Sequence, residues 1–95
     1  MSAEDSCRAD VWLWRARLFR TRSLSAHFIE EGRVRLVRGD TQIRLDKPSR
    51  SVRTGDGLVL ALGGRLIAIR IDNLGERRGP ATEARALYSE LPVPG

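Results

Sequence analysis

Apolar and polar positions change period along this chain, and the changes mark its elements. Ala9, Leu13 and Ala16 recur at i, i+4 and i+7, one stripe of a helix over about Val11–Phe19, with Asp10 placed to cap it. Trp12 and Trp14 stand two residues apart, roughly 200° around that helix. They cannot share the centre of one buried face, so one packs elsewhere or stays partly exposed. Thr21 is placed to cap a second helix over about Arg22–Glu31, whose stripe is Leu24, Ser25, Phe28 and Ile29. Gly32 sits where a left-handed stop is expected. With a residue or two between them, the helices form a tight pair.

From Arg33 the period becomes two: Val34 and Leu36 point one way, Arg33 and Arg35 the other. Arg38-Gly39-Asp40 marks a turn, Ile43 and Leu45 a short second strand, and Lys47-Pro48 its end. After the turn Thr54-Gly55-Asp56-Gly57 comes the apolar strand Leu58–Leu62, a Gly63-Gly64 hairpin, and its partner Arg65–Ile71. A polar loop, 73–79, precedes a third helix that starts at Pro80, with stripe Ala84, Leu87, Tyr88 and Leu91 and with Pro92 and Pro94 as its end. Two helices, four or five short strands and a helix make an α+β domain on a small, mostly antiparallel sheet. Residues 1–8 read as a disordered tail, 9–72 as the domain, and 73–95 as a loop and helix packing on it.

Charge turns this outline into a functional reading. The chain has 95 residues and a net charge of +5. Residues 8–53 hold twelve Lys and Arg against five Asp and Glu, a net of +7, while residues 54–95 are neutral. Such asymmetry favours a polyanion, because neutralising phosphates releases condensed counterions. Arg20 and Arg22 flank the start of the second helix, where backbone N–H groups and the helix dipole favour an anion. Arg33 and Arg35 alternate onto the outer side of the next strand. Arg8, Trp12, Arg15 and Phe19 share one helical face, arginine interleaved with aromatics. The bland alternative for each single arginine is a solvated surface charge. As a helix-turn-helix reader of DNA the pair is poorly equipped. The polar face of its second helix carries Glu30 and Glu31 and no Asn or Gln. Phosphate and shape recognition of folded RNA suits it better, with weak DNA binding as a side activity.

Other chemistry is thin. His27 is the lone histidine and belongs to a polar helix face; Glu30 and Glu31 diverge; no phosphate loop or metal-ligand spacing is present. Catalysis, a cofactor and a metal site are therefore not expected. The single Cys7 reads as an incidental tail residue and suggests a reducing compartment, the cytoplasm. No apolar run reaches the roughly 20 residues of a membrane span. A protein-interaction module that uses an exposed Trp and the C-terminal helix is the other class of reading, and a monomer is expected.

Arg8-Ala9-Asp10-Val11-Trp12-Leu13, Thr21-Arg22 and Ile29-Glu30-Glu31-Gly32-Arg33-Val34 resemble the helix–turn–helix–strand (alpha-L) motif of the S4 RNA-binding domain. Trp12-Leu13-Trp14, Arg17, Lys47-Pro48-Ser49, Glu76-Arg77-Arg78, Pro80-Ala81-Thr82-Glu83-Ala84 and Leu87-Tyr88 extend the resemblance to the bacterial heat shock protein 15 subfamily. The resemblance implies a non-enzymatic binder of ribosomal RNA on free large ribosomal subunits that carry tRNA with a nascent chain, active in their recycling under heat stress. Carried over by position, it implies an RNA face of Arg8, Arg15, Arg17, Arg20, Thr21, Arg22, Arg33, Arg35 and Lys47. This chain departs from the pattern at Ala9 (usually Leu), Val11 (usually Lys or Arg), Ser25 (usually Ala) and Arg38-Gly39-Asp40 (usually Asn-Gly). Val11 removes one expected phosphate contact.

Overall fold

The computed structural model describes residues 5–93. In chain order the elements are β1 (Ser6–Arg8), α1 (Ala9–Arg15), α2 (Arg22–Glu30), β2 (Val34–Arg38), β3 (Thr41–Leu45), β4 (Ser51–Arg53), β5 (Gly57–Leu62), β6 (Arg65–Ile71), α3 (Ala81–Arg85) and β7 (Tyr88–Leu91). One antiparallel sheet has the order β3-β2-β5-β6-β7, and β1 pairs with β4 in a second, two-stranded sheet. The α+β class and the antiparallel sheet stand as the period changes predict.

One face of the large sheet is buried. Val34, Leu36, Leu45, Leu58, Leu60, Ile69 and Ile71 join Ala9, Trp12, Leu13 and Ala16 from the α1 segment and Phe28 and Ile29 from α2 in a single core. The period-two reading of β2 holds, with Val34 and Leu36 buried and Arg33 and Arg35 exposed. Thr21 caps α2 as expected, its Oγ1 accepting from the Leu24 N–H at 3.0 Å. Gly32 takes the left-handed conformation after α2, φ +77°. Leu24 departs from the expected stripe and is 50% exposed, whereas Ser25 is fully buried. The Ser25 hydroxyl lies 2.8 Å from the Asp10 carbonyl and 2.9 Å from that of Arg22, so it joins the start of α1 to the first turn of α2.

The first helix is corrected at both ends. It starts at Ala9, with Arg8 as its N-cap and no side-chain cap bond. The amides of Ala9 and Asp10 donate instead to the carbonyls of Arg50 (2.9 Å) and Pro48 (3.2 Å). Asp10 is 4% exposed inside the first turn, accepting from the Val11 N–H at 2.8 Å. The helix ends at Arg15 because Arg17 adopts φ 60°. Its N–H donates to Trp14 O, and that of Leu18 donates to Leu13 O, the paired bonds of a Schellman stop with arginine in the glycine position. Residues 16–21 therefore separate the helices, more than the one or two expected.

Both ends of the chain differ from expectation too. Ser6–Arg8, part of the expected tail, pairs residue by residue with Arg53–Ser51. Cys7 lies in that strand against the core, and burial raises its thiol pKa. It is not an incidental tail residue. The third helix is only five residues long, and Tyr88–Leu91 runs antiparallel to β6. Five helical residues gain little on their own, whereas β6 would otherwise leave a row of backbone groups unpaired at the sheet edge. Leu91 thereby turns to the outer face, beside Ala68. Pro94 lies outside the described residues.

Asp72 fastens this last strand. It accepts from the Ser89 hydroxyl and, at 3.0 Å, from Arg70 Nε. The Ser89 bond first, then Arg70, holds its carboxyl below the ordinary value of 3.8. A depressed pKa stabilises the fold above the unfolded value, and that gain is lost as pH falls through the folded one. Asp72→Asn is expected to shrink the loss of melting temperature as pH falls below about 4. Identical acid profiles for the variant and the parent would remove Asp72 from the fastening.

Candidate nucleic-acid interface

The nine positions carried over from the resemblance fall into several groups with different partners. Arg20, Thr21 and Arg22 stay together at the start of α2, all exposed. Among the described residues no carboxylate lies within ion-pair distance of either arginine. The turn positions them because Thr21 is extended (φ −137°, ψ 159°) and its hydroxyl takes up one free N–H of the first turn.

A second group stands beyond the other end of α2, whose nine residues span about 13 Å. Arg33 and Arg35 are exposed on the outer side of the sheet. Arg33 Nε is 3.6 Å from a Glu31 carboxylate oxygen, and its guanidinium lies 5.6 Å from the Phe28 ring centre. Arg35 has no carboxylate partner among the described residues and lies directly opposite Arg44 in the β2–β3 register. Arg44 was missed by the sequence reading. The signal was available, since Arg44 sits between Ile43 and Leu45 and so alternates to the same side as Arg35.

Lys47 is exposed in the loop whose Pro48 and Arg50 carbonyls cap α1. Arg50 and Arg53 are exposed near it, also without carboxylate partners among the described residues. Arg8 donates along one edge of its guanidinium to Asp10, Nε to Oδ1 and Nη2 to Oδ2, both at 3.0 Å. That bond raises the Arg8 pKa, and its side chain remains 52% exposed. It can present its remaining N–H groups to a phosphate while Asp10 holds its orientation.

Arg15 and Arg17 point to the C-terminal segment instead. Arg15 Nη1 donates to the carbonyls of Gly75 (2.8 Å) and Leu74 (3.4 Å), and Arg17 Nε donates to Gly79 O at 2.7 Å. Their partners lie about sixty residues away, so the local helical pattern carried no signal of them. The proposed interleaving of arginine with aromatics is also corrected. Trp12 is fully buried, donating from Nε1 to Asn73 O at 2.9 Å, and Phe19 packs on Phe28 with ring centres 4.9 Å apart. Trp14 is the partly exposed member of the pair, as the 200° spacing requires, and Arg78 lies over its ring at 5.8 Å.

Chemically, the two arginine groups offer forked N–H donors. Among the described residues no three His, Cys, Asp or Glu side chains are grouped to hold a metal ion, and no helix is long and apolar enough to cross a membrane.

Comparison with known proteins gives a consistent set of relatives. No family model matches the chain. It is 36% identical over 88 residues to the heat shock protein 15 homolog of Haemophilus influenzae, covering 93% of this chain and 63% of that protein. It is 36% identical over 83 residues to heat shock protein 15 of Escherichia coli K12, covering 87% and 59%. The chain thus spans about three fifths of these relatives' length. To the RQC P-site tRNA stabilizing factor of Listeria innocua it is 32% identical over 85 residues, 87% of each chain. The solved Vibrio cholerae heat shock protein 15, described as trimeric, is 37% identical with a TM-score of 0.79 over 90% of this chain and 82% of that one. These relatives bear names of a heat shock protein and a tRNA stabilizing factor, not of enzymes. The trimeric relative leaves the expected monomer without support.

Proposed function

Because the chain belongs to the heat shock protein 15 family, we propose that it is an S4-type RNA-binding protein acting on the large ribosomal subunit without catalysis. It holds ribosomal RNA through phosphates, on subunits that retain a tRNA with its nascent chain, and works in their recycling under heat stress in the cytoplasm. The carrying observation is the pair of arginine groups at the two ends of α2, where Arg20, Arg22 and Arg35 have no acidic partner among the described residues. The α1–turn–α2–β2 order supports the S4-type reading, and the Listeria relatives' name supports a tRNA-bearing target. With Arg15 and Arg17 bonded to backbone carbonyls of the C-terminal segment, the phosphate contacts reduce to Arg8, Arg20, Arg22, Arg33, Arg35 and Lys47. Six such contacts correspond to a log-affinity against log-salt slope of roughly −4 to −5.

Sedimentation of tagged protein through a ribosome profile, with and without heat stress, tests this function. Co-migration with free large subunits, increased by heat, is expected. Protein that remains at the top of the gradient, or that follows only free tRNA or duplex DNA, would overturn it.

A further inference from the structure

The outer face of the sheet carries a second feature that phosphate binding alone does not need. Two cross-strand rows lie side by side there. In one, Arg44 faces Arg35, and Arg35 faces Val59. In the other, the Ala61 N–H donates to Arg33 O at 3.1 Å, and Ala61 faces Leu66. Gly32, Arg33, Arg35, Gln42, Val59, Ala61 and Leu66 line an open groove of about 300 Å³, and Arg44 stands beside it, opposite Arg35. One wall is arginine, the floor is aliphatic, and Gln42 adds an amide. Leu66 is 48% exposed, an uncovered large apolar side chain within reach of guanidinium groups.

Arg35 and Arg44 are placed against their own electrostatics. Like charges directly opposite in an antiparallel pair destabilise it, and no carboxylate among the described residues neutralises these two. Arg44 is also folded back over the end of α2. A Cβ on Gly32 would lie 2.0 Å from Arg44 Nη2 and 2.6 Å from its Nε. The carbonyl end of α2 favours a cation there. An anion between the two arginines would remove their repulsion, so binding would gain what the free protein lacks.

We propose that this groove takes one unpaired nucleotide of the bound RNA. Its phosphate lies between Arg35 and Arg44, its base lies on Val59, Ala61 and Leu66, and the Gln42 amide meets the base edge. Cation, apolar floor and amide answer the three parts of a nucleotide, and single-stranded RNA is the form whose bases are free to be splayed out. A duplex would leave the floor uncovered. The inference rests on the RNA-binding reading above and adds Arg44, Gln42 and the floor to it.

The test uses two fluorescent RNAs, a blunt hairpin and the same hairpin with a three-nucleotide single-stranded 3′ extension. The parent protein is expected to bind the extended RNA about tenfold more tightly. Leu66→Ser should abolish that preference without changing the salt slope. Arg44→Ala should weaken binding of the extended RNA and reduce the slope by roughly 0.7–0.9. Both side chains are exposed, and a melting curve verifies that each variant folds. Failure of the parent to bind either RNA would overturn the RNA-binding reading itself. Equal binding of both RNAs, or an unchanged preference in both variants, would overturn only the groove. Shifts of the Ala61 and Leu66 methyl resonances with a polyglutamate peptide, but not with the extended RNA, would give the groove to an acidic protein surface and also overturn it.

Discussion

Replacing Arg20 and Arg22 together by alanine is expected to weaken RNA binding roughly 25- to 60-fold at 0.1 M salt and to make the salt slope shallower by roughly 1.4–1.8. Both figures follow from removing two phosphate contacts at about 0.7–0.9 each. The fold should not notice. Both side chains are exposed, neither has an ion pair among the described residues, and the Thr21 cap is untouched. Surface changes of that kind stay within about 0.5 kcal/mol. Anisotropy titrations at several salt concentrations, with a melting curve for each protein, measure the two effects separately. Unchanged affinity would remove the start of α2 from the interface. A lowered melting temperature would instead mean that the arginines hold the turn.

Trp12→Ala should have the largest effect on stability. Trp12 is fully enclosed, donates to Asn73 O at 2.9 Å, and meets the edge of Tyr88 with ring centres 6.3 Å apart. It therefore packs α1, the loop after β6 and β7 together. Emptying such a site costs about 3–5 kcal/mol, a large part of the 5–15 kcal/mol that holds a domain of this kind. The melting temperature should fall by more than about 12 °C. Trp12→Phe keeps most of the bulk and should lose chiefly the bond to Asn73, about 1–2 kcal/mol. Below its melting transition Trp12→Ala should retain the RNA affinity of the parent, because the ring is buried. Lost affinity with little lost stability would restore Trp12 as a base-stacking residue.

Sequence alone disclosed the parts of this molecule that are decided locally. The Thr21 cap, the Gly32 stop, the alternation from Arg33 to Leu36 and the Gly63-Gly64 hairpin each depend on residues within a few positions, and each is present. Parts decided by distant partners were hidden. Leu87-Tyr88-Ser89-Glu90-Leu91 fits a helical stripe on paper, yet the open edge of β6 draws Tyr88–Leu91 into a strand. Ser6–Arg8 has no strand signal of its own and forms one because Ser51–Arg53 lies beside it. The early end of α1 needs Arg17 at φ 60°, a conformation that a sequence reader assigns to glycine. The candidate site divides the same way. Arg20, Arg22, Arg33 and Arg35 are exposed as their periods imply. Arg15 and Arg17 look identical to them in sequence, and only the fold reveals the carbonyls they hold.

Those two arginines bear on how the chain is made. Trp12, Arg15 and Arg17 are bonded to backbone carbonyls of Asn73, Gly75 and Gly79, and the last sheet strand begins only at Tyr88. Closing loops of about sixty residues is an entropic step that must precede the gain from those contacts. During synthesis, helices α1 and α2 leave the exit tunnel long before their anchors exist. The corner that presents Arg20 and Arg22 is therefore set late, once residues 73–91 have emerged. A nascent chain arrested at about residue 72 should display the arginines on an unbraced turn, open to protease, and should acquire resistance there only after β7 is released.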